Sequence, residues 1–78
     1  MAKDQSIRLH LATAAQLELA AAHNREAAKH YRLGEFVKAA HHAHIARGHF
    51  LNAQGTAHEA AKVHARKFSR RILKARDH

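Results

Sequence analysis

An all-α protein is predicted by three observations: 19 alanines among 78 residues, no proline, and only three glycines. Alanine is the strongest helix former and proline the strongest breaker, so the glycines are the main points where a helix would stop. The arrangement predicted is a three-helix bundle built on an antiparallel helical hairpin, one domain over residues 1–78 with a basic C-terminal helix, 57–75. A two-helix hairpin with a long second helix, dimerising, is the alternative.

The first helix runs from about Ser6 to Arg32. Ile7, Leu11, Ala14, Leu17, Ala21, Ala28 and Tyr31 fall on one stripe of it at helical spacing. Gly34, in Leu33-Gly34-Glu35, stands where a helix end takes a left-handed residue. The second helix starts at Phe36 and places Ala39, Ala40, Ala43, Ala46, Phe50 and Ala53 on its buried side. Gln54 to Glu59 reads as a helix end at Gly55 followed by a capping box, in which Thr56 accepts from the backbone N–H of Glu59 and Glu59 reaches back. The third helix then carries Ala57, Ala61, Ala65, Phe68, Ile72 and Ala75 as its stripe.

The alternative arises because the phase set by Phe36, Ala43, Phe50, Ala57, Ala61 and Phe68 passes through Gly55 almost without a jump. A single long rod would overhang the first helix and leave Phe68 and Ile72 for a second subunit to cover. Nineteen of the 36 hydrophobic residues are Ala, so the core of either form is thin and a homo-oligomer is expected.

Ala27-Ala28-Lys29-His30-Tyr31-Arg32-Leu33-Gly34-Glu35-Phe36-Val37-Lys38-Ala39-Ala40 resembles the helix-turn-helix of tetratricopeptide repeats and of the three-helix microtubule-interacting-and-trafficking domain. Tyr31, Gly34, Phe36, Ala39 and Ala46 stand where those folds place an aromatic, the turn glycine, a second aromatic and two small packing residues. The chain is also similar to small Ala- and His-rich bacterial helical proteins of unknown function, through His41-His42-Ala43-His44-Ile45-Ala46-Arg47-Gly48-His49. What the resemblance implies is an interaction scaffold. The sequence holds no second repeat copy.

Charge is distributed unevenly. Residues 1–61 carry seven Lys or Arg against five acidic groups, net +2, whereas residues 62–78 carry seven against Asp77 alone, net +6. Lys62, Arg66, Arg70 and Lys74 are four apart and form a ridge, with Lys67 and Arg71 beside it. Such a ridge suits a polyanion, nucleic-acid backbone above all, with an acidic protein as the other partner class. The apolar residues there are too few for a membrane surface to rank as high.

Ten histidines are the second unusual feature. No two are four apart, and only His41 and His44 are three apart, so a site on one helix face is not encoded. His58-Glu59-Ala60-Ala61-Lys62 begins like a zinc-protease helix, but lysine stands where the second ligand is needed. An interhelical site remains. His23, Glu26 and His30 share one face of the first helix, folding about Gly34 brings that level near His41, His42 and Ile45, and His23, Glu26, His30 and His42 make a donor set suited to zinc, nickel or copper. His64, near the apolar stripe, is the position where protonation would disturb packing.

Cysteine is absent, which excludes disulfides and thiolate chemistry. No unbroken apolar stretch follows the N-terminus, so neither signal peptide nor membrane span is expected and the setting expected is cytoplasmic. Ser6 and Ser69 lie outside any nucleophile elbow, and the glycines build no phosphate loop. The reading is a non-enzymatic helical interaction module.

Overall fold

A computed structural model describes residues 2–76 and contains two helices, α1 (Ala2–Arg32) and α2 (Phe36–Arg76). They pack side by side as an antiparallel hairpin measuring 67 × 18 × 13 Å. The protein is all-α, but the three-helix bundle is overturned. α2 runs unbroken through Gly55 for 41 residues, and the capping box does not form. The Thr56 hydroxyl instead lies 3.2 Å from the Ala53 carbonyl and 3.4 Å from that of Asn52, and Glu59 pairs with Lys62 at 3.4 Å.

The turn after α1 forms where glycine predicted it. Gly34 has φ +74°, the only positive φ among the described residues. The Glu35 N–H donates to the His30 carbonyl (2.9 Å) and the Gly34 N–H to that of Tyr31 (3.1 Å), the paired bonds of a Schellman motif. That motif is commonly sealed by an apolar contact between the two outer residues. Here the outer residues are His30 and Glu35, and an imidazole–carboxylate contact of 3.3 Å takes that place. Glu35 also opens α2, its carbonyl accepting from Ala39 N–H at 3.0 Å.

Packing follows a seven-residue repeat. A seam of buried or half-buried positions runs through Ser6, Leu9, Thr13, Gln16, Ala20, His23, Ala27 and His30 on α1 and Ala39, His42, Ala46, His49, Ala53, Thr56, Ala60 and Val63 on α2, with Ala21, Ala43 and Ile45 half-buried beside it. Both series alternate steps of three and four, the spacing that keeps one seam facing a partner helix along its length. One position of each heptad is always small: Ser6, Thr13, Ala20 and Ala27 on α1, and Ala39, Ala46, Ala53 and Ala60 on α2. Ala39, Ala46 and Ala53 are at most 2% exposed.

This seam explains why α2 ignores Gly55. Glycine in a helix costs about 1 kcal/mol relative to alanine. Ending α2 there would forfeit the seam layers at Thr56, Ala60 and Val63 and their backbone bonds, a larger loss. The seam buries Ala39, Ala46 and Ala53 as the sequence predicts but relocates the rest of the expected apolar stripes. Ile7, Leu11, Leu17, Tyr31, Phe36 and Phe50 lie beside the seam and stay exposed, with Tyr31 and Phe36 rings 6.2 Å apart across the flank. Beyond Val63 the seam positions become Lys67, Arg70 and Lys74, and α2, ten residues longer than α1, continues as an unpaired arm.

Two glycine substitutions separate the continuous helix from a broken one. Gly55→Ala adds a methyl that meets nothing within 4 Å, and should raise stability by about 0.5–1 kcal/mol in chemical denaturation. Gly34→Ala forces a side chain into left-handed φ and should lower it by about 1–2 kcal/mol.

Candidate functional site

The larger seam positions are mostly polar, and at the turn end they are histidines. His30 and His23 come from α1 and His42 and His49 from α2, and the four rings interleave into one column. His30 stacks on His42 (centroids 5.3 Å, interplanar angle 5°), His42 on His23 (5.3 Å, 26°), and His23 on His49 (5.6 Å, 19°). The column exists because each imidazole sits one half-heptad from a small residue, so a flat ring fills volume that alanine leaves between the backbones.

Polar groups in a seam are costly unless partnered. His23 Nδ1 and His42 Nδ1 lie 3.0 Å apart, so one ring donates and the other accepts. His49 Nδ1–H donates to Gln16 Oε1 at 2.8 Å, and Asn52 donates to the same oxygen at 3.3 Å. The Thr13 and Thr56 hydroxyls hydrogen-bond across the next layer. Among the described residues no buried side-chain nitrogen or oxygen lacks a partner. Specificity of register follows, since sliding one helix by a layer would separate several of these pairs at once.

At the turn the column meets two carboxylates. His30 Nδ1 lies 3.3 Å from Glu35 Oε1, and His30 Nε2 lies 3.7 Å from Glu26 Oε2. Glu35 also holds Lys38 Nζ at 3.1 Å. Lys38 first, and His30 second, hold the Glu35 carboxyl below its ordinary range. Glu26, His30 and His42 bring one ligand atom each to within 4.8 Å of one another. Of the four metal-site residues expected from the sequence, these three converge; His23 is one ring further along, bonded to His42. His49, Gln16 and Glu35 were not singled out by sequence reasoning. Seven-residue recurrence was the signal for Gln16 and His49, with Gln16, His23 and His30 on α1 and His42 and His49 on α2, whereas Glu35 stands beside the turn glycine, outside both helices. His64 is exposed beside Phe68 (6.4 Å between rings), outside the seam, so it is not the packed histidine.

The second feature is the arm. Lys62, Arg66, Lys67, Arg70 and Arg71 are exposed, and the Lys74 side chain lies outside the described residues. Glu59 pairs with Lys62 at the arm's base, and residues 60–76 contain no acidic residue. Phe68, Ile72 and Leu73 are exposed on the same arm, at 56%, 43% and 59%, so its basic ridge has no buried apolar side opposite it. Among the described residues no helix is long and apolar enough to cross a membrane.

No protein family, curated protein or solved structure matches this chain. The tetratricopeptide and microtubule-interacting-and-trafficking resemblance of residues 27–40 therefore has no relative behind it. It rests on the turn glycine and its neighbours.

Glu35 gives the site a pH signature. Its carboxyl is depressed in the folded state, so the stability it contributes is present above the ordinary carboxylate range and fades as pH falls through its folded-state value. The stability difference between wild type and Glu35→Gln should shrink on going from neutral pH into the acid range. A difference that stays constant down to pH 3 would show that the carboxylate does not secure the turn.

Proposed function

We propose that the protein is a helical interaction module that binds a polyanion, nucleic-acid backbone foremost, through the arm of α2. The observation that carries this reading is the basic end of α2: Lys62 and Arg66 are exposed beside the start of α1, Lys67, Arg70 and Arg71 are exposed on the ten-residue extension past it, and residues 60–76 hold no acidic side chain. A single helix flanked by solvent presents these cations on much of its circumference and can lie along a row of phosphates. No set of bidentate base-reading side chains is ordered there, so the contact expected is with backbone and carries little sequence preference. The hairpin is then a rigid handle about 46 Å long, at 1.5 Å rise per residue over α1. A cytoplasmic setting fits such a ligand.

Self-association belongs to the same reading. The flank holding Leu17, Tyr31, Phe36 and Phe50 is exposed, while the residues buried in the seam are six alanines and one valine. A small core of this kind gains stability when a second copy covers an apolar flank.

The test is fluorescence anisotropy of a labelled duplex titrated with protein across a salt series. Contact with five phosphates gives a log–log slope of roughly −4.5, and the double variant Arg66→Glu/Arg70→Glu should flatten it to roughly −2.7 and weaken binding on every sequence. Absence of binding at low salt would discard nucleic acid and turn the search to an acidic protein surface.

A further inference from the structure

We propose that Glu26, His30 and His42 form a binding site for a divalent first-row transition ion of the zinc type, stapling α1 to α2 near the turn. The proposal is independent of the polyanion reading, since the site lies at the opposite end of the hairpin from the arm.

The argument starts from His30. Its Nδ1 lies 3.3 Å from Glu35 Oε1, and a carboxylate oxygen accepts only, so the proton on this ring is held at Nδ1. In the neutral ring the Nε2 lone pair then faces the Glu26 carboxylate across 3.7 Å. That pair is two electron donors facing each other, too far apart for a hydrogen bond and satisfied by a cation between them. Tetrahedral coordination with bonds of about 2.0–2.1 Å sets two ligand atoms roughly 3.3 Å apart, within a small side-chain adjustment of the spacing seen. His42 contributes from the other helix, with all three ligand atoms inside 4.8 Å.

Both imidazoles also have the outer partner that ligating histidines use to fix ring and tautomer. For His30 it is Glu35. For His42 it is His23: with His42 Nδ1–H donating to His23 Nδ1 across 3.0 Å, the tautomer that ligation requires, the Nε2 lone pair is left for the ion. Two nitrogens and one carboxylate oxygen suit zinc, nickel or copper and not magnesium or calcium, which take oxygen sets. Glu26 is exposed, so a fourth position is open to solvent on its side. His23 is thereby an orienting residue and not a ligand.

A staple between the helices makes stability the natural readout beside binding. Tag-free protein is titrated with Zn²⁺ by calorimetry, and with Co²⁺ while the visible absorption of the ion is followed. One equivalent per chain is expected, with a rise in melting temperature and the intense visible bands of four-coordinate cobalt. Glu26→Gln and His42→Gln should each weaken binding at least tenfold and remove the thermal shift. Glu35→Gln, acting through His30, should weaken it about 10–100-fold. His44→Gln and His58→Gln, at exposed histidines outside the column, should leave it unchanged. Binding should weaken on acidification, because protons compete for the same nitrogens. If His42→Gln fails to fold, Glu26→Gln decides alone, since Glu26 lies off the seam. Several weak equivalents that persist in Glu26→Gln would mean scattered surface histidines, and no uptake would mean that a proton alone sits between Glu26 and His30; either result overturns the proposal.

Discussion

Everything in this hairpin depends on a small side chain recurring at every seventh position of both helices. Ser6, Thr13, Ala20 and Ala27 face Ala39, Ala46, Ala53 and Ala60, and because none projects far, the two backbones approach closely along the whole of α1. Individually these alanines bury little, with each methylene-sized group contributing about 0.8 kcal/mol. Their effect is geometric. Close approach brings the alternate seam positions into reach of one another, so that flat or short polar side chains can fill the remaining space and find partners across it.

The histidine column is the result of that geometry. An aliphatic residue at positions 23, 30, 42 and 49 would fill the same layers without asking for hydrogen bonds. Imidazole instead requires a defined donor and acceptor on each ring, and the seam supplies them in sequence: Glu35 to His30, His23 to His42, Gln16 to His49. A seam closed by such pairs is specific in register, at some cost in stability relative to an apolar one. It also leaves a carboxylate and two imidazoles converging beside the turn, where the Schellman geometry fixes His30 against Glu35. The chemistry of the site thus follows from the packing rule of the fold.

How far the sequence reveals this can be judged from individual residues. Gly34 was legible because a left-handed residue between two alanine-rich segments has one common use. The ridge from Lys62 to Arg71 was legible because charge needs no fold to be counted. Gly55 misled, since Gly55-Thr56-x-x-Glu59 has the letters of a helix end and a cap, and local letters do not weigh a glycine's cost against the seam layers beyond it. On α2 the expected buried side holds at Ala39, Ala46 and Ala53 and fails at Ala40 and Phe50, whereas on α1 the stripe through Ile7, Ala14, Leu17, Ala28 and Tyr31 runs one residue off the seam and is exposed. Where the helices approach most closely, only small residues fit, and the large ones are displaced to the flank. The seven-residue recurrence of Ala39, Ala46, Ala53 and Ala60 was visible throughout, and reading small residues as the contact would also have put His42 and His49 on the seam.

The same register runs on past the hairpin. At Lys67, Arg70 and Lys74 its positions are basic, where α2 extends beyond the shorter α1 as the arm. This account requires α2 to be one rod from Phe36 to the arm. Because the chain has no cysteine, spin labels can be placed cleanly at Ala40→Cys and Ser69→Cys, both exposed positions on α2. A continuous helix puts the labelled backbones about 44 Å apart at 1.5 Å per residue, and a narrow distance distribution near that value in a pulsed dipolar measurement is the predicted result. A distribution centred within roughly 20 Å would contradict it, since that is the separation left when a helix broken at Gly55 folds back at an interaxial spacing of about 8–10 Å.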